Sequence, residues 1–231
     1  MLSNFLLALP MLLFALIAHE YAHGWAAYQQ GDDTAYKLGR LTFNPLPHID
    51  PIYTILMPIL LWVLSSGQFT FGGAKPVPVI TRNFRNFRRG DLIVSSAGVA
   101  TNFVLSFACA AVFLLAGLVA RLVGDSGTET IALIQRMMFW GIHLNLILAV
   151  FNLIPIPPLD GSRILYHFLP TAVAVRYRSL DRYGFIPLVI LLYFVKPVLG
   201  VLLSPAFFVE GGLLHVVGPY AVGDALNIFP T

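Results

Sequence analysis

Residues 5–28 read FLLALPMLLFALIAHEYAHGWAAY, an apolar run from Phe5 to Tyr28 interrupted near its end by His19, Glu20 and His23. About 20 consecutive apolar residues in a helix span the roughly 30 Å hydrocarbon core of a bilayer. Length alone therefore makes this stretch a membrane-crossing helix. An apolar N-terminal run can also be a cleavable secretory leader. This one has no basic flank before it and no small-residue cleavage site after it, and it continues directly into three ionisable side chains. We expect it to be retained. Ionisable groups inside a membrane are costly unless they pair or bind something, so the three demand a functional explanation.

The rest of the chain repeats the membrane signature. Leu92–Ala120, Ile131–Phe151 and Gly184–Leu203 are also long enough to cross, giving four spans. Across all 231 residues, 58% are apolar and only 11% charged, far from the balance of a soluble domain. The net charge of +3 does not suggest nucleic acid, because the cations gather in a few loops rather than along one face. The lone Cys109 excludes an intrachain disulfide and reads as packing.

Two shorter segments remain. Pro51–Leu64, interrupted by Pro58, is better suited to dip into the bilayer and return than to cross it, and Arg163–Leu169 follows a proline-rich break. These leave the total between four and six crossings. Pro205–Thr231, with Gly211, Gly212, Gly218 and Pro219, reads as a loosely packed interfacial tail. The expected architecture is an all-α polytopic membrane bundle with a short membrane-associated β-loop and one broken helix. It forms a single domain over residues 1–231, with its core at 5–170 and a C-terminal helix and tail at 171–231.

Orientation follows the excess of Lys and Arg in short cytoplasmic loops. Lys37 and Arg40, then Lys75, Arg82, Arg85, Arg88 and Arg89, mark two such loops, and Arg176, Arg178 and Arg182 a third. The loop carrying Arg121 and Arg136 is offset by Asp125 and Glu129, as an outside loop would be. The N-terminus is then outside and the functional cluster lies nearer the cytoplasmic face of the cell membrane.

His19-Glu20-Tyr21-Ala22-His23 is an H-E-x-x-H pattern. Positions four apart share a helix face, so both imidazoles can reach one metal while Glu20 points at its water. Polar residues fraying a helix end would need no such spacing. A catalytic zinc takes a third protein ligand and keeps one position for water. The apparent donor is Asp160 in 152-NLIPIPPLDG-161, where Pro155, Pro157 and Pro158 break the helix. Irregular backbone at membrane depth is tolerated only where it is buried or lines a wet cavity, and a carboxylate there needs a partner. The alternative is Asp160 as the N-cap of the next helix; capping and ligation can coexist.

These residues carry a resemblance. The H-E-x-x-H helix, Gly72-Gly73-Ala74-Lys75-Pro76-Val77-Pro78-Val79, Ala97-Gly98-Val99-Ala100-Thr101-Asn102 and the Asn152–Gly161 segment together resemble the site-2 protease family of intramembrane metalloproteases (peptidase family M50). The small bacterial type, without the PDZ-like insertion of larger members, is the nearer match. The four elements occur in that family's order and cover residues 5 to 165. The resemblance implies one zinc ion held by His19, His23 and Asp160, a catalytic Glu20, and Asn152 beside the site handling substrate. The substrate it implies is a membrane-protein segment.

The chemistry implied is hydrolysis, with Glu20 taking a proton from the attacking water and returning it to the leaving amine. Asn152 suits a hydrogen bond to the oxyanion or the substrate backbone, or a bond between helices. A helical substrate hides its carbonyls and must unwind, and residues 72–79, including Gly72, Gly73 and Lys75, can offer it an edge strand; a plain loop turn is the alternative. Asn102 reads as helix packing or as site support. His143, on the helix leading to Asn152, lies about 13 Å from it along the axis, too far to ligate but able to play a polar supporting role. Phe84, Phe87 and the arginines around them read as an interfacial anchor on anionic lipid or a surface for a substrate tail. Two rival functions use the same residues: a metal transporter or sensor, and a non-catalytic scaffold that holds membrane proteins.

Overall fold

The computed structural model describes residues 2–56, 59–60, 63, 73–123, 127–184, 186–194 and 196–228. The α-helical stretches among them include α1 (Leu2–Gln30), α2 (Thr34–Lys37), α3 (Phe87–Val123), α4 (Thr128–Asn152), α5 (Asp160–Tyr166), α6 (Thr171–Arg178), α7 (Ile186–Phe194) and α8 (Lys196–Val217). No strand is present among the described residues. Four helices are long and apolar enough to cross a membrane, at Leu6–Gln30, Phe87–Val123, Thr128–Asn152 and Pro197–Tyr220. The chain is an all-α polytopic membrane protein.

The fold groups into two compact units, residues 16–98 and residues 1–15 with 99–231. In the first, the end of α1 and the start of α3 pack through Ala26, Ala27, Phe84 and Val94, with Val79 and Ala97 beside them. Residues 73–80 run between these helices without regular structure, because Pro76 and Pro78 lack the N–H that a helix or a sheet ladder needs. They are tied down from outside. Lys75 N–H donates to the His48 carbonyl at 2.7 Å, and Arg40 Nη2 donates to the carbonyls of Lys75 (2.8 Å) and Pro76 (3.3 Å). Ile80 N–H donates to Asp32 at 2.6 Å.

Asp32, fully buried, also accepts from the backbone N–H and hydroxyl of Thr34 and from Asn83 Nδ2. Burial pushes its carboxyl upward, but these bonds outweigh it and hold the group below its ordinary value. Residues 51–56 form a wide helical turn; whether Pro51–Leu64 crosses or re-enters lies outside the described residues, as does Gly72.

In the second unit, Cys109, Ala110 and Phe113 of α3, Ile142, Leu146 and Val150 of α4 and Ala206 and Val217 of α8 form one apolar core. Helix α4 stops at Asn152, three residues before Pro155, and the chain turns through 153–159 before α5 begins. A Cβ on Gly161 would lie 2.1 Å from the Leu153 carbonyl oxygen, so glycine is what lets α5 start against the end of α4.

The span expected at Gly184–Leu203 is helical over Ile186–Phe194 and Lys196–Val217, residue 195 lying outside the described residues, and the helical stretch runs on to Val217. One expectation fails here: 205–228 is not loosely packed. Gln135 of α4, fully buried, donates to the Phe113 and Tyr220 carbonyls (3.2 and 2.8 Å) and accepts from Val222 N–H at 2.9 Å. Arg121 donates to the Pro219 carbonyl and lies over the Tyr220 ring. A buried amide must find partners, and the Pro219–Val222 backbone supplies them.

Candidate metal centre

The late turns of α1 put His19, Glu20 and His23 within one unit beside the first turns of α3. Both histidines are nearly buried, 6% and 9% exposed. Their Nε2 atoms lie 2.9 Å apart, close enough for one ion at the usual zinc–nitrogen bond length of about 2.0–2.1 Å to touch both. His23 Nδ1 lies 2.7 Å from the Val94 carbonyl. A carbonyl can only accept, so Nδ1 carries the hydrogen and Nε2 of the neutral ring keeps a lone pair for a metal. The donor set and its orientation therefore fit a zinc ion.

Space around the rings is set by Gly98. A Cβ there would fall 2.5 Å from His19 Cε1 and from His23 Nε2, and 2.6 Å from His19 Nε2. An α-helix in direct backbone contact with two imidazoles requires glycine at that point. In the sequence Gly98 is part of a helix-opening element, and an isolated glycine within an apolar helix, costing about 1 kcal/mol against alanine, is the hint of a close approach.

Glu20 is fixed from the other side: Val77 N–H donates to its Oε2 at 2.7 Å. Residues 73–80 thus meet the motif directly. They do not pair with any strand among the described residues, and the N–H groups of Lys75 and Val77 are already used within the chain. Gly73 contributes its carbonyl to the Thr54 hydroxyl at 2.7 Å, while the Lys75 side chain is exposed.

The remaining candidates belong to the other unit. Asp160 is the first residue of α5, with Leu159 in the cap position and no side-chain cap bond, so it is not the N-cap. Asn152 Nδ2 donates to the Leu148 carbonyl at 2.9 Å, closing the last turn of α4. Asn102 Nδ2 donates to Asn145 Oδ1 at 3.1 Å, and Asn145 Nδ2 to the Gly141 carbonyl at 2.8 Å, an interhelical bond between α3 and α4. His143 Nδ1 lies 2.9 and 3.1 Å from the two carboxylate oxygens of Glu210 on α8. Asn145, Glu210 and Gln135 were not singled out by sequence, because nothing in their spacing marks them; each is defined by a partner on another helix.

Comparison with known proteins agrees with this description. Residues 81–194 match the model of peptidase family M50. YwhC of Bacillus subtilis (strain 168), whose name describes a zinc metalloprotease, is 41% identical over 201 residues, covering 85% of each chain. Rip2 of Mycolicibacterium smegmatis, similarly named, is 32% identical over 81% of this chain and 67% of its own. No solved structure matches. An H-E-x-x-H helix in a polytopic membrane chain, this family match and these identities lead to one statement: the chain belongs to peptidase family M50.

Proposed function

We propose that the chain is an intramembrane zinc metalloprotease that hydrolyses peptide bonds of membrane-protein or membrane-anchored substrates at the cell membrane, with its site nearer the cytoplasmic face. The observation that carries the reading is the preset pair of imidazoles, Nε2 to Nε2 at 2.9 Å, with a hydrogen-bonded Glu20 on the same turn. Membership of family M50 and the metalloprotease names of the relatives support zinc as the single cofactor.

In this reading His19, His23 and Asp160 hold the ion. The two imidazoles and a carboxylate are a donor set used by catalytic zinc, and Asp160 opens a helix just after a proline-rich break. Zinc, when bound, acidifies a coordinated water and polarises the scissile carbonyl. Glu20 accepts the proton of the attacking water and delivers it to the leaving amide nitrogen. The Val77 N–H on Oε2 holds the carboxylate in one orientation while it does so. Asn152 donates to the substrate backbone or the oxyanion, for which it must exchange its bond to Leu148. Gly72, Gly73 and Lys75 contact the unwound substrate segment, with Asn102 and His143 in supporting roles at a distance from the chemistry.

The test is cleavage of an unstructured reporter such as casein by the purified full chain, with and without a zinc chelator, alongside Glu20→Gln. We expect chelator-sensitive cleavage, and a variant that keeps stoichiometric zinc yet loses about 10²–10⁴-fold in rate. A variant that instead moves metal across vesicles as the wild type does would make the protein a carrier; wild-type protein without chelator-sensitive cleavage of the reporter or of a membrane-anchored peptide would make it a scaffold.

A further inference from the structure

Arg40, just past the end of α2, is 9% exposed, so a guanidinium is buried in the unit that carries His19, Glu20 and His23. Burying an arginine is costly unless its donors find acceptors. The metal centre makes no use of this one. Its acceptors are the carbonyls of Lys75 at 2.8 Å and Pro76 at 3.3 Å, both reached by Nη2.

The Pro76 carbonyl and the Val77 N–H belong to one peptide unit, planar and trans. In such a unit the C=O and the N–H point in opposite directions. The oxygen here faces Arg40, and the N–H donates to Glu20 Oε2 at 2.7 Å. A single rigid plane therefore connects a buried cation to the carboxylate of the H-E-x-x-H motif. Turning the plane moves both ends together, and a cation on the oxygen polarises the amide so that its N–H donates more strongly. Other contacts fix where this plane sits. Val77, 7% exposed, rests on α1 at Gly24, one turn beyond Glu20: a Cβ on Gly24 would lie 2.9 Å from Val77 Cγ1. Lys75 N–H donates to the His48 carbonyl at 2.7 Å, and His48, 2% exposed, donates from Nε2 to the Thr42 carbonyl at 3.0 Å. None of these contacts involves the Pro76 oxygen, so the tilt of the plane is left to Arg40.

We infer that Arg40 is a positioning residue for Glu20: acting through the Pro76–Val77 peptide, it holds the carboxylate in the orientation that proton transfer needs. The inference rests on the reading of Glu20 as the proton carrier of a zinc protease. Without Arg40 the peptide plane is free to turn, and Glu20 spends its time in orientations away from the reacting water. The loss then falls on kcat. Zinc is held by other side chains and stays.

The experiment measures kcat, KM and zinc content of the purified full chain in detergent on the casein reporter, together with amide hydrogen exchange. Arg40→Gln should lower kcat on the order of 100-fold, the cost of misplacing a catalytic group by about 1 Å, with KM and zinc stoichiometry as in wild type. Arg40→Lys, which keeps the charge but ends one bond short, should fall between the two. Lys37→Gln, which removes an exposed positive charge from α2, should match wild type. In a Glu20→Gln background, with no base left to orient, Arg40→Gln should cost nothing further, because residues that act as a unit are not additive. Exchange reads the same lever without turnover: in Arg40→Gln the Val77 N–H should lose protection while the Lys75 N–H, held by His48, keeps it. Wild-type kcat in Arg40→Gln would overturn the inference, as would a raised KM at unchanged kcat, lost zinc, equal loss of protection at Lys75 and Val77, or a rate loss of the same size in the Glu20→Gln background. Wild-type protein without chelator-sensitive cleavage would sink the protease reading and this inference with it, a result distinct from cleavage that is indifferent to Arg40. Should the glutamine variant fail to fold, Arg40→Lys, alone and with Glu20→Gln, decides the same point.

Discussion

Replacing Gly98 with alanine tests whether the two imidazoles are preset for a metal. The added methyl would lie 2.5 Å from His19 Cε1 and His23 Nε2. Ordinary carbon contacts begin near 3.5 Å, so the rings or the helix must move about 1 Å apart. Metal sites tolerate only about 0.2 Å in ligand distance, and His23 cannot swing freely while Nδ1 holds the Val94 carbonyl at 2.7 Å. Second-shell changes that leave ligands in place typically cost 10–100-fold in metal affinity; a displacement of this size should cost at least the upper end. Stability should change less, because overpacking of about 1–3 kcal/mol is partly offset by the roughly 1 kcal/mol that alanine gains over glycine within a helix. The assay is zinc stoichiometry after dialysis against chelators of graded strength, with circular dichroism and thermal melting in detergent. Gly200→Ala, where a Cβ meets nothing within 4 Å, is the control. A folded Gly98→Ala protein with wild-type zinc affinity would refute the reasoning.

Two further outcomes follow from the buried polar groups. Asp32→Asn should destabilise the fold by about 1–3 kcal/mol. Because the carboxyl is held below its ordinary 3.8, its contribution is complete above that pH and lost as pH falls through the lowered folded value; melting curves from pH 7 to pH 2 should show an acid loss in wild type that the variant lacks. His143→Gln and Glu210→Gln should each lower the melting temperature by more than half as much as the double variant does, since a broken partly buried pair leaves one polar group stranded; additive single effects would mean that the 2.9 Å contact contributes nothing.

Much of this protein is legible in sequence because the bilayer imposes coarse rules. Apolar length gives the spans at α1, α3 and α4 within a few residues, and the H-E-x-x-H spacing puts His19 and His23 on one helix face without any tertiary information. Pro155, Pro157 and Pro158 announce the break before Asp160. Sequence fails where long-range partners decide the outcome. Helix α8 carries Pro205 and still runs to Val217, where the α4 core and Gln135 hold its end, so residues that read as an interfacial tail are packed. His143 reads as a polar supporting residue, but spacing does not reveal its partner, Glu210, sixty-seven residues away. Residues 72–79 read either as an edge strand or as a loop turn; 73–80 form no strand, and the N–H groups of Lys75, Val77 and Ile80 are directed at His48, Glu20 and Asp32.

In the proposed function Asp160, more than a hundred residues downstream, completes a zinc site begun by two imidazoles one helical turn apart. Zinc K-edge absorption of the purified protein, wild type against Asp160→Asn, measures this directly. Wild type should show two nitrogen ligands near 2.0–2.1 Å together with oxygen ligands, and the variant should lose most of its bound zinc while the helices stay folded. Full zinc occupancy in Asp160→Asn, with an unchanged coordination shell, would contradict it.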